Sequence, residues 1–503
     1  LASAAVDGTM LSLDNPGSLM ADARIRLNAA GGNGSVTGTA HFNAATMAYD
    51  ARLNVNRLNI NRFMPGYGMG RFTGNIDVKG RGYALLSPST VMTAKARVGA
   101  FRYSGYDLSG AMADVTLANG RARANITSQN EILDGDIALD ALLSKKKIQA
   151  TVGADIKNID LYALRLTKVP LSIGACGHLD VDMDMKENYV VMGHVSDIRI
   201  TDSASVFHPN DIELDIMTHP DTTHAVVDCG DFHLRMNARG GVARLASLSE
   251  TMTKEINRQI NERIIDEMAL RRKLPEADIY LTSGTENTMA RLAQRMGYQF
   301  SSVYANVKTS PVAGINGEMK IDTLKMEGLQ LDAISLDVES DDDNTNYTLG
   351  VENGKDNPQY TFKAILAGEM KPNGTTMDLT IDDGNGRRGI DVGLEALMQP
   401  DGIRMAIADR KQILGYRAFA PNKDNHVTLT RDMRVSADVK LVADDGTGIQ
   451  IYTDDENATA LQDITFSVHQ LDIAGILSIL PYTPSVTGVL NGDFHFVVEP
   501  DAM

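Results

Sequence analysis

Alternation with a period of two residues constrains this chain more than any other feature. In residues 178–185, HLDVDMDM, the side chains of Leu179, Val181, Met183 and Met185 fall together, and Asp180, Asp182 and Asp184 fall opposite. A strand sends successive side chains to opposite faces, so the pattern dictates a sheet with one apolar and one polar face. Residues 490–498, LNGDFHFVV, collect Leu490, Phe494, Phe496 and Val498 on one side. Met377, Leu379 and Ile381 alternate likewise, as do residues 390–394, and the DDGNGRRG between them suits a hairpin. Acidic or Gly-rich turns recur at 341–346, 444–448 and 454–457. The spacing predicts an antiparallel, all-β chain of roughly 25 to 30 strands.

The apolar face is built from an unusual set of residues. Apolar types make up 43% of the chain, yet aromatics only 5%, with no Trp and 24 Met. Cores usually draw much of their buried area from aromatics, so this face is aliphatic and Met-rich. The formal net charge of −17 opposes nucleic-acid binding, which depends on neutralising phosphates. It also sets the chain as a whole against anionic membrane surfaces. No stretch approaches the ~18 apolar residues that a membrane-crossing helix needs. Starting at Leu1 without an initiator Met or signal peptide, and ending just after a strong strand pattern, the sequence reads as an internal piece of a longer protein.

One segment breaks the alternation. Across residues 247–273, Leu248, Met252, Ile256, Ile260, Ile264 and Met268 recur every fourth position, which predicts an amphipathic helix. Ser247 and Glu250 have capping-box spacing at its start. A shorter helix is expected at about 286–296, ending at Gly297. The expected organisation is therefore a β segment at 1–246, a helical insertion at 247–299 and a second β segment at 300–503. The long helix has three readings: packing on an end or open face of the sheet, contact with a membrane surface, or gating.

A short phrase is written three times: VNRLNINRF at 55–63, IKNIDLYAL at 156–164 and VHQLDIAGI at 468–476. Each ends a strand, supplies Asn59, Asp160 or Asp472 as a helix cap, and meets a proline at Pro65, Pro170 or Pro481. A Gly and a new alternating strand follow each copy. Ile159 follows Leu58 by 101 residues and Leu471 follows Ile159 by 312, close to three such intervals. GYDLSGAMADV (105–115) and GLQLDAISLDV (328–338) form a second repeat. Such periodicity signals stacked units that bury their apolar faces on one another.

With these repeats, and with residues 415–455 leading into the third phrase, the chain resembles the AsmA-like family. Within that family it is similar to the TamB proteins, the translocation and assembly modules of Gram-negative envelopes, in their Bacteroidetes form. The resemblance implies a mostly β fold: a long curled antiparallel sheet forming an open apolar groove (a β-taco), with short helices at repeat junctions and one helical insertion. It also implies a periplasmic, inner-membrane-anchored protein, its anchor outside this sequence. Its role would be to conduct phospholipid between membranes, with no enzymatic activity and no cofactor. Two alternatives stand beside this: an outer-membrane protein assembly factor working with a TamA- or BamA-like barrel, and a structural β-repeat surface protein. The groove lining expected from the alternation comprises Phe72, Ile76, Val78, Leu179, Val181, Met183, Met185, Ile212, Leu214, Ile216, Leu329, Leu331, Met377, Leu379, Ile381, Leu490, Phe494 and Phe496. At about 4.8 Å per strand such a stack would extend on the order of 130 Å.

Other candidates are weaker. His178, His194, His208, His219, His224 and His233 cluster in sequence near Cys176, Asp228 and Cys229, but at no familiar metal-ligand spacing. The turn at 341–346 lacks the spaced ligands of a calcium loop. The Gly-rich 66–70 does not open a helix after a strand, and no nucleophile elbow or HExxH motif is present. Two cysteines make no disulfide framework, which leaves two readings of Cys176 and Cys229: small buried residues, or a single bridge between them.

Overall fold

The computed structural model describes residues 23–31, 34–43, 46–62, 69–103, 106–107, 109–164, 166–184, 186–203, 205–431, 434–453, 462–479 and 487–498. Among these the alternating segments form 33 strands, and their ladders are antiparallel. The total runs above the sequence expectation because fragments such as Tyr106–Asp107, Val206–Phe207 and Tyr298–Gln299 carry no alternation of their own.

The chain divides into two units. One comprises Leu1–Gly230 with Glu286–Thr288, the other Asp231–Thr285 with Met289–Met503. In the first, strands pair with their sequence neighbours from Ala23–Gly31 through to Thr222–Cys229. Tight turns make this possible. Asn119 (φ +52°) and Gly120 (φ +72°) link Met112–Ala118 to Arg121–Gln129 with the two left-handed residues that a short hairpin needs.

In the second unit, Phe232–Arg239 pairs with Ala277–Ser283, which pairs with Ser302–Ser310, and the order continues to Val489–Val498. Ala277–Ser283 lies inside the expected helical insertion 247–299, between the two helices expected there, where the sequence reading places no strand. The hairpin read at 382–389 joins Gly374–Asp383 to Arg388–Gln399, with the Asp383 carboxylate accepting from the Asn385 and Arg387 backbone N–H groups. Beyond it the ladder splits. Arg388–Gln399 pairs with both Gly402–Ile407 and Gln412–Leu414, and the two branches meet again on Val435–Ala443.

The long helix differs from its sequence pattern. Helix α1 spans Val242–Glu262, starting ahead of Ser247, because Gly240 (φ +111°) turns the chain and Gly241 takes the cap position. It ends at Arg263, which is left-handed at φ +51°, and α2 (Glu267–Arg271) begins anew from an Asp266 cap. The middle of the apolar stripe is not the buried side: Ile256 and Ile260 are 43% and 67% exposed, whereas Glu255 and Gln259 are buried and Leu248, Met252, Ile264 and Met268 are half-buried. Glu255 is held by Arg258, by Lys273 at 2.9 Å and by Gln259 at 3.0 Å, so burial here is compensated by charge pairing. From α2, the buried Arg271 donates to the carbonyls of Val312 and Asp341, binding the acidic turn at 341–346 to the helix. Helix α3 spans Thr288–Arg295 and is followed by Gly297 at φ +93°.

Candidate functional site: the apolar face

Cross-strand partners in an antiparallel ladder share a face, so the register lists what lies side by side. In the first unit one row runs Ala40, Ala51, Val78, Ala94, Val115, Ala124, Leu139, Val152, Leu179, Gly193, Leu214 and Val227, each directly opposite the next. No polar side chain interrupts it. Flanking rows hold Leu53, Ile76 and Ala96 on one side and Ala150, Val181, Val191 and Ile216 on the other.

The second unit repeats the arrangement with bulkier residues. Leu234, Leu281, Ala305, Met319, Leu336, Leu349, Leu366, Leu379 and Val392 form a row. Beside it run Val303, Ile321, Ile334, Val351, Ala364, Ile381, Ile390 and Leu414. Exposure shows that part of this face is uncovered, although Ala305, Ile381 and Ile390 are buried. Met319, Leu379 and Leu394 remain 41%, 37% and 40% exposed, far above what a sealed core leaves to its apolar side chains. The row members of the first unit are half-buried throughout.

The opposite face is charged and internally paired. Lys79 meets Asp50, Lys95 meets Asp114, and Lys308 meets Asp278 across neighbouring strands. Arg121 forks onto Asp140 through two 2.6 Å bonds, with Arg123 adding a third, and this pairing holds the Asp140 carboxyl down at about 2. These exposed pairs contribute little individually to stability. Their consequence is to keep one face hydrated and so fix which face is apolar.

The repeated phrase has a physical role at the strand ends. In VNRL the third residue, Arg57, is left-handed at φ +53° and the ladder shifts between Val55 and Leu58; in VHQL, Gln470 is at φ +53° and the ladder shifts between Val468 and Leu471. Such a bulge lets apolar residues three apart share one face and increases local twist. The same device recurs at Val195-Ser196-Asp197-Ile198 and Ile321-Asp322-Thr323-Leu324, with Asp197 at φ +50° and Thr323 at φ +54°. The second phrase also shifts register beyond Ile156, without a left-handed residue. Its Asp160 accepts from the Ala163 N–H, while Asp472 accepts from Ala474 to start α4 (Ile473–Leu477). The first phrase turns instead through a 3₁₀ segment, Ile60–Arg62.

At the end of α4, Ile479 is fully buried against Ile381 and Ile390, with Tyr416 beside them. Burial and the 2.9 Å bond from Tyr416 to Asp383 push that phenol up to about 12. The phrase helix therefore covers one margin of the apolar face in this unit.

Most expected lining residues join these rows. Ile76, Val78, Leu179, Val181, Ile212, Leu214 and Ile216 lie on the apolar face of the first unit, with Met183 opposite Ile148 at the row's edge. Phe72 sits at the strand end against Phe101, rings 5.8 Å apart. Met377, Leu379 and Ile381 lie on the second unit's face. Leu329 and Leu331 pair with Met326 and Leu324 beyond the Thr323 bulge, and Leu490 pairs with Leu471. Phe494 and Phe496 oppose Phe466 and Ile464 but are 45% and 63% exposed. Met185 lies outside the described residues. Sequence reading missed the Ala and Gly positions, Ala94, Ala124 and Gly193 among them, whose small side chains give weak alternation.

His178 and His194 stand on the polar face beside Asp180 and Asp211. Among the described residues no group of three or more His, Cys, Asp or Glu is placed to hold a metal ion. Cys176 and Cys229 are both free thiols; burial and the nearby Asp155 push the Cys176 thiol up. No described helix is long and apolar enough to cross a membrane.

Comparison with known proteins gives no match: no family model, no curated protein and no solved structure resembles the chain closely enough to count.

Proposed function

We propose that the apolar face is a path for acyl chains, and that the protein is a non-enzymatic, lipid-conducting scaffold of the cell envelope. The observation that carries this reading is the unbroken cross-strand apolar row in each unit, only half-buried along most of its length. An acyl chain in water costs about 0.8 kcal/mol per CH₂, so a 16-carbon tail costs on the order of 12 kcal/mol. A row of aliphatic and Met side chains offsets most of that while demanding no fixed shape, because such side chains adapt to a moving ligand. An aromatic-keyed pocket would hold a single ligand instead. The reading carries with it a periplasmic location, an inner-membrane anchor outside this sequence, and phospholipid as cargo on the way to the outer membrane.

Extraction of the purified chain into organic solvent, followed by mass spectrometry, tests it. Phospholipid is the expected finding. A photo-crosslinking residue at Leu214 or Leu349 should label lipid, whereas one at Asp215 or Thr348, on the charged face, should not. Recovery of bound peptide without lipid would overturn the reading in favour of protein assembly.

A further inference from the structure

A second feature stands at the margin of the apolar face in the second unit. A cavity of about 470 Å³ lies between the end of α1 and the split part of the sheet, lined by Arg258, Arg263, Ile264, Met398, Leu429 and Arg431. That volume is in the range of small-ligand sites, ~300–1,000 Å³. Its floor belongs to the apolar face, since Met398 is opposite Ile403 and Ile403 is opposite Leu429. Its wall carries three arginines against one carboxylate, Glu262, in a chain whose net charge is −17.

Among the described residues the charges do not all cancel. Arg258 is tied to Glu255 and, at 2.7 Å, to Glu262, and Lys273 adds a bond to Glu255, so these two cations balance two carboxylates. Arg263 and Arg431 have no carboxylate within ion-pair distance among the described residues, and both are exposed. Arg263 is presented by the left-handed turn that ends α1, and Arg431 by the turn after His426–Thr430, where its backbone N–H bonds Asp401 O at 2.9 Å. A guanidinium is a planar fork suited to phosphate oxygens, and it stays charged at any physiological pH.

The geometry points to a head-group site: Arg263 and Arg431 bind the phosphodiester of an amphiphile whose tail lies on Met398, Ile403 and Leu429. The inference rests on the reading of the apolar face as a phospholipid path and adds the place where the phosphate is held. It also reconciles that cargo with an acidic protein. The chain as a whole repels anionic surfaces, so a local cationic pair beside the apolar face selects single phosphate-bearing amphiphiles over bulk membrane.

Calorimetric titration with three probes tests it: dihexanoyl phosphatidylglycerol, which has both phosphate and tails; octyl maltoside, a tail without phosphate; and inorganic phosphate, an anion without a tail. The whole chain should bind the phosphatidylglycerol, and R263Q/R431Q should weaken that binding at least tenfold while leaving octyl maltoside binding unchanged. Arg431→Gln alone, outside any helix, should weaken it at least threefold, which keeps the result readable if the double variant disturbs the end of α1. Equal phosphatidylglycerol affinity in wild type and both variants overturns the head-group site while leaving the groove reading intact. Inorganic phosphate binding as tightly as the amphiphile also overturns it, showing a free-anion site. Failure of both amphiphiles to bind the wild type overturns the groove reading and this inference together.

Discussion

At the scale of single residues, the left-handed positions inside strands are the most informative. Arg57, Asp197, Thr323 and Gln470 occupy φ between +50° and +54° without being glycine. A non-Gly residue there costs about 1–3 kcal/mol, most for a β-branched side chain. The bulge therefore persists because the strands on either side fix it. Thr323→Gly should raise the unfolding free energy by about 1 kcal/mol, and Asp197→Val should lower it by about as much, read from urea midpoints. A destabilised Thr323→Gly would contradict the assignment. Glu255 gives a pH prediction. Hydrogen bonds from Arg258, Gln259 and Lys273 hold its carboxyl well below the usual range. A depressed carboxylate stabilises the fold above its unfolded pKa, about 4.3, and that stabilisation is lost as pH falls toward the folded value. Tm should therefore drop between about pH 5 and pH 3 in the wild type, and more shallowly in Glu255→Gln, which starts from a lower Tm at neutral pH.

At the scale of elements, α4 shows what the repeated phrase accomplishes. Ile479 is fully buried against Ile381 and Ile390, so Ile479→Ala should cost about 2–5 kcal/mol. Hydrogen exchange should then quicken in Gly374–Asp383 and Arg388–Gln399, the strands it covers; unchanged protection there would mean that the helix does not hold that margin. The capped turn of the phrase was legible in sequence at Asp160 and Asp472, of which only the latter starts an α-helix, while the first copy turns through Ile60–Arg62. Pro65 and Pro481 lie outside the described residues. The bulge was not legible. Its left-handed position is filled by Arg, Asp, Thr or Gln, none of which marks it, and the copies at 195–198 and 321–324 lack a cap and a proline, so they escape a search built on those residues. Helix α1 was legible as a helix but misleading as to its buried side. Periodicity ranks Ile256 and Ile260 as core, and the network around Glu255 reverses that order. The strand Ala277–Ser283 was hidden for a different reason: it stands alone between helices, and its role appears only when Phe232–Arg239 and Ser302–Ser310 flank it.

At the scale of the whole molecule, two neighbouring residues on one strand can decide whether the apolar face or the sheet edge carries the ligand. Leu336 lies in the second unit's central row, between Met319 and Leu349, while Asp337 lies on the opposite face between Glu318 and Thr348. Edge pairing with a client strand uses backbone groups and is indifferent to which face a side chain occupies. Acyl binding depends on the face. A carboxylate set among apolar side chains must stay hydrated, so Leu336→Asp should open a wet gap in the row and displace the tail on both sides of it. Asp337→Asn removes a charge from the other face and leaves the row untouched. Extracted phospholipid per chain should fall at least twofold in Leu336→Asp and stay unchanged in Asp337→Asn, with Tm of both variants measured alongside to show that each remains folded. An equal lipid yield from folded Leu336→Asp would mean that the tails do not travel along this row, however continuous it is.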